Sequence, residues 1–472
     1  MKKITSLLMS LLLIFSTMSI IAFSATAAST PKLSKTAVTI YYKASTTLKV
    51  TGYSKTVKWS SSDTKVAKVS SKGVVTGVAL GTTTVTAKAG NKTLKCKVTV
   101  KDRNVTASTS FKVTGGGYFI NKVSTATAVI KPKKYNAAKV TVYIENAEGT
   151  AVYKKTFKNC KKETKYSFEW DGKNTKGNYV PSGSYRMKVV IGKKTSYSDY
   201  LSVYAKNYFA GGNGSKSKPF LVATTTQLKS IVRFPNAYYK QTKNLDFEYE
   251  SVGNFFTADQ PFNGVYDGNN KTIKNISANT ALFNVIGEKG TIKNLNMKDC
   301  NIVGNGASIL AKENHGKISN CQIDGVVSVN DHVEGNNANA GFMVHYNYGT
   351  ISNCTTSGII TGTEHNGNGI AYVGGIVDCN QPTGKIISCI SHTEVKAVGG
   401  IFDGGCAGGI AATNNGLITG CEADNIVSAT DFSNKIAIQG GIAGTNNGQI
   451  LSSYYTGESN VNIAGKNNGA IA

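Results

Sequence analysis

The octapeptide Asn347-Tyr348-Gly349-Thr350-Ile351-Ser352-Asn353-Cys354 returns four times in the second half of the chain, and no other feature narrows the possible folds as much. The copies run from Asn314 to Cys321, Gly384 to Cys389, Asn414 to Cys421 and Asn446 to Ser453. Their glycines, 316, 349, 384, 416 and 448, lie 33, 35, 32 and 32 residues apart. A near-constant period with one short β-type run per copy predicts a solenoid, because one such unit cannot bury its apolar face alone. Helical repeats are excluded by the lack of a 3.6-residue apolar stripe. Upstream of the signature lie short apolar runs such as Gly374-Gly375-Ile376-Val377 and Gly408-Gly409-Ile410-Ala411. Stacking would set each isoleucine over its neighbour's, with asparagine and glycine taking the left-handed backbone at the corners. Cys321, Cys354, Cys389 and Cys421 share one register, and Ser453 fills it in the last copy. They are expected to form an inward column of free thiols packing as small hydrophobes. An odd total of nine cysteines, with no Cys-x-x-Cys pair, argues against disulfide staples and a zinc site. No metal or other cofactor is expected. Unpaired thiols in an exported chain would fit a reducing, anaerobic habitat.

Export itself is read from the N-terminus. Lys2 and Lys3 precede an apolar run, Leu7 to Phe23, and then Ala25-Thr26-Ala27. That is the pattern of a secretory signal peptide over residues 1–27. A retained membrane anchor is the other reading, against which Ser10, Ser16, Thr17 and Ser19 dilute the run. With no second apolar stretch of spanning length, the expected location is extracellular or on the cell surface, and the expected membrane contact is the signal peptide during export.

The formal net charge is +26, and it is unevenly placed. Residues 29–103 carry 15 basic and 2 acidic residues, residues 104–207 carry 19 and 6, and residues 208–472 carry 17 and 19. Such asymmetry points the first two segments at an anionic partner. Outside a cell that means wall polymer, lipid headgroups or acidic glycan rather than nucleic acid; a merely solvated lysine surface is the bland alternative.

Both basic segments read as small β-sandwiches. Leu94-Lys95-Cys96-Lys97-Val98-Thr99-Val100 alternates apolar and polar residues, as a half-buried strand does. In residues 28–103, Trp59-Ser60-Ser61-Ser62-Asp63, Gly73-Val74-Val75-Thr76-Gly77 and Gly81-Thr82-Thr83-Thr84-Val85 resemble the bacterial immunoglobulin-like group 2 family. The resemblance implies a spacer or adhesive module without catalysis, in which Trp59 plugs the core. In residues 104–207, Trp170-Asp171-Gly172, Gly177 and Pro181-Ser182-Gly183-Ser184-Tyr185 resemble the immunoglobulin-like domain of flagellar hook-capping proteins. There Asp171 is read as capping a turn rather than binding a metal. In residues 208–472, Thr226 to Ile231 is expected to be a short capping helix. With Gly290-Thr291-Ile292-Lys293-Asn294-Leu295 and the Gly-Gly-Ile-Ala-Gly repeats, this region resembles the GLUG-motif right-handed parallel β-helix of bacterial surface proteins. It departs from that pattern at Asp246-Phe247-Glu248, where an Asp-hydrophobic-Asp triplet is usual; if that triplet seats a cation in relatives, the site is in doubt here. Because a further repeat begins at the C-terminus and no Leu-Pro-x-Thr-Gly sorting motif follows, the reading frame is expected to continue.

The predicted class is thus all-β: two immunoglobulin-like sandwiches followed by a right-handed parallel β-helix. No His-Glu-x-x-His, Gly-x-Ser-x-Gly or Gly-x4-Gly-Lys-[Ser/Thr] motif occurs, and the five histidines have no metal spacing. A polysaccharide lyase or hydrolase would need converging carboxylates; the candidates are Asp378 with Asp403, or Asp331 with Glu334. The favoured reading is non-catalytic adhesion, through wall polymer or extracellular glycan, or a host or neighbouring-cell surface protein. A pure structural spacer is the third possibility. Polar turns at Asp331-His332-Val333-Glu334 and Glu364-His365, with Tyr346, Tyr348 and Tyr372 nearby, are the candidate binding loops.

Overall fold

The computed structural model describes residues 29–251, 255–331, 336–365, 369–400, 404–432 and 437–472. The signal-peptide reading of residues 1–27 lies outside these residues, as do His332, Glu334 and Asp403.

In the first segment, Ala37–Tyr41, Lys92–Lys101, Gly81–Ala89 and Lys58–Ser61 form one sheet, and Ser45–Thr47, Val74–Gly77 and Ala67–Val69 form another. Ile40, Leu48, Val75, Val85, Cys96, Val98 and Val100 are buried between them, with Trp59 packed against that core. In the second segment, a sheet of Ala107–Val113, Ala126–Pro132 and Tyr166–Trp170 faces a five-stranded one. Trp170 is buried against Phe111, Phe119 and Tyr185, with ring centroids 5.8, 5.3 and 5.7 Å away. The Pro-Ser-Gly-Ser-Tyr motif has a local cause: the Tyr185 hydroxyl donates to the Pro181 carbonyl at 3.0 Å, closing the turn. Arg103 joins the two segments, its guanidinium lying 4.7 Å from the Tyr41 ring and 4.2 Å from that of Tyr135.

The second segment also closes one end of the solenoid. Tyr118 packs on Phe234 at 4.9 Å and donates its backbone N–H to Asn213 at 2.7 Å. The expected helix spans Thr225–Lys229 and continues as a 3₁₀ turn, Ser230–Arg233. The Thr224 hydroxyl caps it by accepting from the Gln227 N–H at 3.2 Å, the Gln227 side chain reaches back to accept from the Ala223 N–H at 2.7 Å, and Leu228 and Ile231 are buried beneath it.

Residues 208–472 form a parallel β-helix. One coil runs through Ala338–Gly341, Val344–Asn347, Thr350–Ser352 and Thr355–Glu364, each parallel to its counterpart in the next coil. The isoleucines stack in register as Ile292, Ile318, Ile351, Ile386, Ile418, Ile450 and Ile471. All but the last are fully buried, each worth about 1.5–3 kcal/mol of transfer free energy.

The corners follow the expected use of asparagine and glycine, with serine taking the same place in two coils. Left-handed backbone falls on the residue before the cysteine column: Asn320, Asn353, Ser388, Gly420 and Ser452, with φ between 46° and 60°. The signature glycines are needed for clearance. A Cβ on Gly349 would stand 2.2 Å from the Gly316 carbonyl oxygen, and one on Gly448 would stand 2.1 Å from that of Gly416.

Candidate functional site

The buried asparagine upstream of each signature glycine is not a corner residue. Asn314, Asn347, Asn380, Asn414 and Asn446 are fully buried and point along the solenoid axis. Each donates its Nδ2 to the Oδ1 of the next, at 2.8, 2.8, 2.8 and 2.8 Å, and Asn446 continues to Asn467 at 2.7 Å. The same Oδ1 atoms accept from the glycine N–H two residues on, at 3.1 Å in Gly316 and 3.3 Å in Gly416. Asn-x-Gly therefore supplies both halves of one device, a ladder amide and a turn with room for the coil beneath. A buried amide needs such partners, since an unmet one costs about 1–3 kcal/mol.

Cys321, Cys354, Cys389 and Cys421 stand in a buried column. Their thiols donate to carbonyls two residues back, at 3.3, 3.2, 3.3 and 3.5 Å. Hydrogen bonding with the Cys354 thiol, together with burial, pushes Cys389 up to about 12. Burial, with the Asp378 charge adding to it, pushes the partly buried Cys379 up to about 12. Thiols so shifted are poor nucleophiles and poor metal ligands at neutral pH.

Among the described residues, the candidate binding residues fall into separate groups and form no single site. Asp331 and Glu364 are the last residues of Gln322–Asp331 and Thr355–Glu364, and both are buried rather than displayed on loops. They stack on each other in register, and Asp331 accepts from the Asn305 amide. His365 lies beyond that strand end, exposed, its ring 5.7 Å from Phe432. Tyr346 and Tyr348 sit on another wall. Tyr348 stacks flat on His315 at 4.5 Å, and Tyr346 packs on His345 at 3.9 Å. Tyr372 belongs to the sheet of Ala371–Gly374, between Asn339 and Cys406. A cleft of about 470 Å³ beside Glu313 and His315, lined also by Asn263, Glu288 and Lys289, includes none of these candidates.

Of the acids considered for cleavage chemistry, Asp378 and Asp331 are among the described residues, and both have structural partners. Asp378 is buried and lies 3.1 Å from Nδ1 of His345, itself buried in the coil before. Burial pushes its carboxyl up, and His345 opposes part of that rise. The scattered spacing of the histidines gave no hint of this pair; only the coil register shows it. Asp246 accepts from the Glu248 N–H at 3.0 Å and the Asn275 amide at 2.8 Å, and pairs with Lys274 at 3.0 Å. Those contacts hold its carboxyl down at about 2. Asp171 accepts from the Lys173 N–H at 3.2 Å, closing the Asp-Gly turn. Among the described residues, no cluster of three metal-ligating side chains occurs.

What the basic segments display is cationic. On the outer side of the first sandwich, strand alternation turns Lys58, Lys88, Lys95, Lys97 and Lys101 to solvent while Val85, Ala87, Cys96, Val98 and Val100 face the core. Among the described residues, ion pairs engage only Lys131, Lys173, Arg186 and Lys188 of the cations in 29–207. The remainder form an open positive field.

Residues 28–100 match the family described as bacterial Ig-like domain (group 2), and residues 121–194 match the FlgD Ig-like domain. The chain carries two bacterial immunoglobulin-like domains. Halomucin of Haloquadratum walsbyi is 30% identical over 146 residues, covering 26% of this chain and 2% of that protein. Among solved structures, an IgA1 protease aligns with 15% identity and a TM-score of 0.39, over 72% of this chain and 29% of that one. Domains 5–6 of the S-layer protein SbsC align with 19% identity and a TM-score of 0.15, over 38% and 98%. The chain thus spans a small part of the curated relative it matches.

Proposed function

We propose that this is an exported, non-catalytic cell-surface protein in which the two immunoglobulin-like domains grip anionic wall polymer or acidic glycan and the β-helix acts as a GLUG-type rod holding further surfaces away from them. The observation that carries this reading is the open cationic field of residues 29–207, set beside a rod whose 17 basic and 19 acidic residues nearly cancel. Against a cleaving enzyme stands the engagement of the two candidate acids among the described residues: Asp378 with His345, and Asp331 with Asn305. The test is co-sedimentation of the whole chain with insoluble wall polymer. Contacts between exposed charges are screened within about 8 Å at physiological ionic strength and about 3 Å at 1 M. Retention should therefore fall steeply between about 0.05 and 1 M salt, with no sugar released. Equal retention across that range, or release of soluble sugar, overturns the proposal.

A further inference from the structure

The outer face of the five-stranded sheet in the second domain has an unusual order. Strand register places Lys154, Tyr143, Lys188 and Tyr197 in one row across four strands: cation, ring, cation, ring. The neighbouring row runs Glu145, Arg186, Tyr200. A register shift between Arg186 and Lys188 turns Tyr197 and Tyr200, three residues apart, to the same side. Both residues are about half exposed, at 47% and 50%. Arg186 bridges them, its guanidinium 4.1 and 5.3 Å from the two ring centroids, and its Nε makes no hydrogen bond. Glu145, the acid of these two rows, is buried beneath Lys188 and Arg186 at 2.7 and 3.7 Å, so it anchors the cations from below.

We infer that this face is a binding site for an acidic polysaccharide, with Tyr143, Tyr197 and Tyr200 stacking on sugar rings and Lys154, Arg186 and Lys188 pairing with acid groups. The inference rests on the proposed affinity of the basic domains for anionic polymer and adds where it resides and what it selects. Flat rings held by cations suit a chain with both an apolar sugar face and negative charge; polyphosphate or a lipid headgroup uses the cations alone. Lys154 and Lys188 are two strands apart, about 9.6 Å at the usual strand spacing. That is close to the length of a disaccharide, so a polymer with acid on alternate sugars matches the row.

The experiment uses the full chain with two probes, hyaluronate, whose carboxylates lie on alternate sugars, and inorganic polyphosphate, which has charge and no ring. Tyr197→Ala with Tyr200→Ala should weaken hyaluronate binding by about tenfold or more, the factor expected for about 1.4 kcal/mol of lost stacking. Polyphosphate binding should be unchanged, and Tyr197→Phe with Tyr200→Phe should keep both. Lys154→Gln should weaken both probes. An equal loss on the two probes in the alanine variant, or no loss on hyaluronate, overturns the inference. Wild-type chain that retains polyphosphate but not hyaluronate overturns it while leaving the charge-based reading standing. Retention of neither probe overturns both.

Discussion

Asn380→Ala should be among the most damaging single substitutions in the rod. Asn380 is fully buried and sits between two ladder neighbours, accepting from Asn347 and donating to Asn414 at 2.8 Å each. Its Nδ2 also lies 3.3 Å from the Gly384 and Leu417 carbonyls. Truncation removes both short bonds at once. Asn347 keeps a 3.3 Å contact to the Gly349 carbonyl, and the Asn414 oxygen keeps the Gly416 N–H at 3.3 Å. Neither orphan is left entirely bare, so each costs towards the lower end of about 1–3 kcal/mol, or about 3 kcal/mol together with the small void. Asn467→Ala is the control: that side chain is exposed and accepts one ladder bond, from Asn446 at 2.7 Å. Its loss should cost about 1 kcal/mol or less. A solenoid need not unfold in a single step, so the reading is local. Hydrogen exchange of the amides of Thr350–Ser352, Lys385–Ile387 and Leu417–Thr419 should accelerate by about a hundredfold for about 3 kcal/mol in Asn380→Ala. Less than fivefold acceleration, or the same change in Asn467→Ala, would refute the ladder argument.

Gly349→Ala should lower the melting temperature by several degrees, because its Cβ meets the Gly316 carbonyl at 2.2 Å, whereas Asn353→Gly should be nearly neutral, since φ there is 50° and Gly420 holds the equivalent place naturally. Native protein should react slowly with a thiol-directed disulfide reagent, Cys379 first and the column cysteines only on unfolding; rapid labelling of Cys354 or Cys389 would contradict their burial. Asp246 has its folded value depressed from 3.8 to about 2, so its contribution is full above about pH 4 and lost as pH falls towards 2. Asp246→Asn should reduce the pH dependence of denaturation across that window and leave the pH dependence above about pH 5 unchanged.

Much of the fold was legible because a periodic sequence reports its own register. The isoleucine and cysteine positions recur at one spacing, and the two sandwiches show alternation together with the tryptophan, Asp-Gly and Pro-x-Gly-x-Tyr turn residues. The role of each repeated residue was less legible. Asparagine favours left-handed backbone, which Asn353 adopts, but nothing in the sequence separates it from Asn347, whose side chain is consumed by Asn314 and Asn380, which only stacking brings within reach. Gly349 likewise looked conformational but is set by a carbonyl from the coil beneath. The candidate site was legible least of all. Asp331 and Glu364 are polar and next to turns, which resembles loop chemistry, yet each ends a strand and is buried. The row of Lys154, Tyr143, Lys188 and Tyr197 spans four separate strands, and a register shift sets its last member, so no linear pattern announces it.

The stacked, in-register coil is what makes the signature residues structural, and a distance between spin labels tests it most directly. Cysteines introduced at Lys317 and Gln449, exposed positions of one column separated by Thr350, Lys385 and Leu417, lie four coils apart. At the usual strand spacing the backbones should be about 19 Å apart, and pulsed electron paramagnetic resonance should give one narrow distribution near that value, widened by the label arms. A broad distribution, or a separation twice as long, would mean that the repeats do not stack.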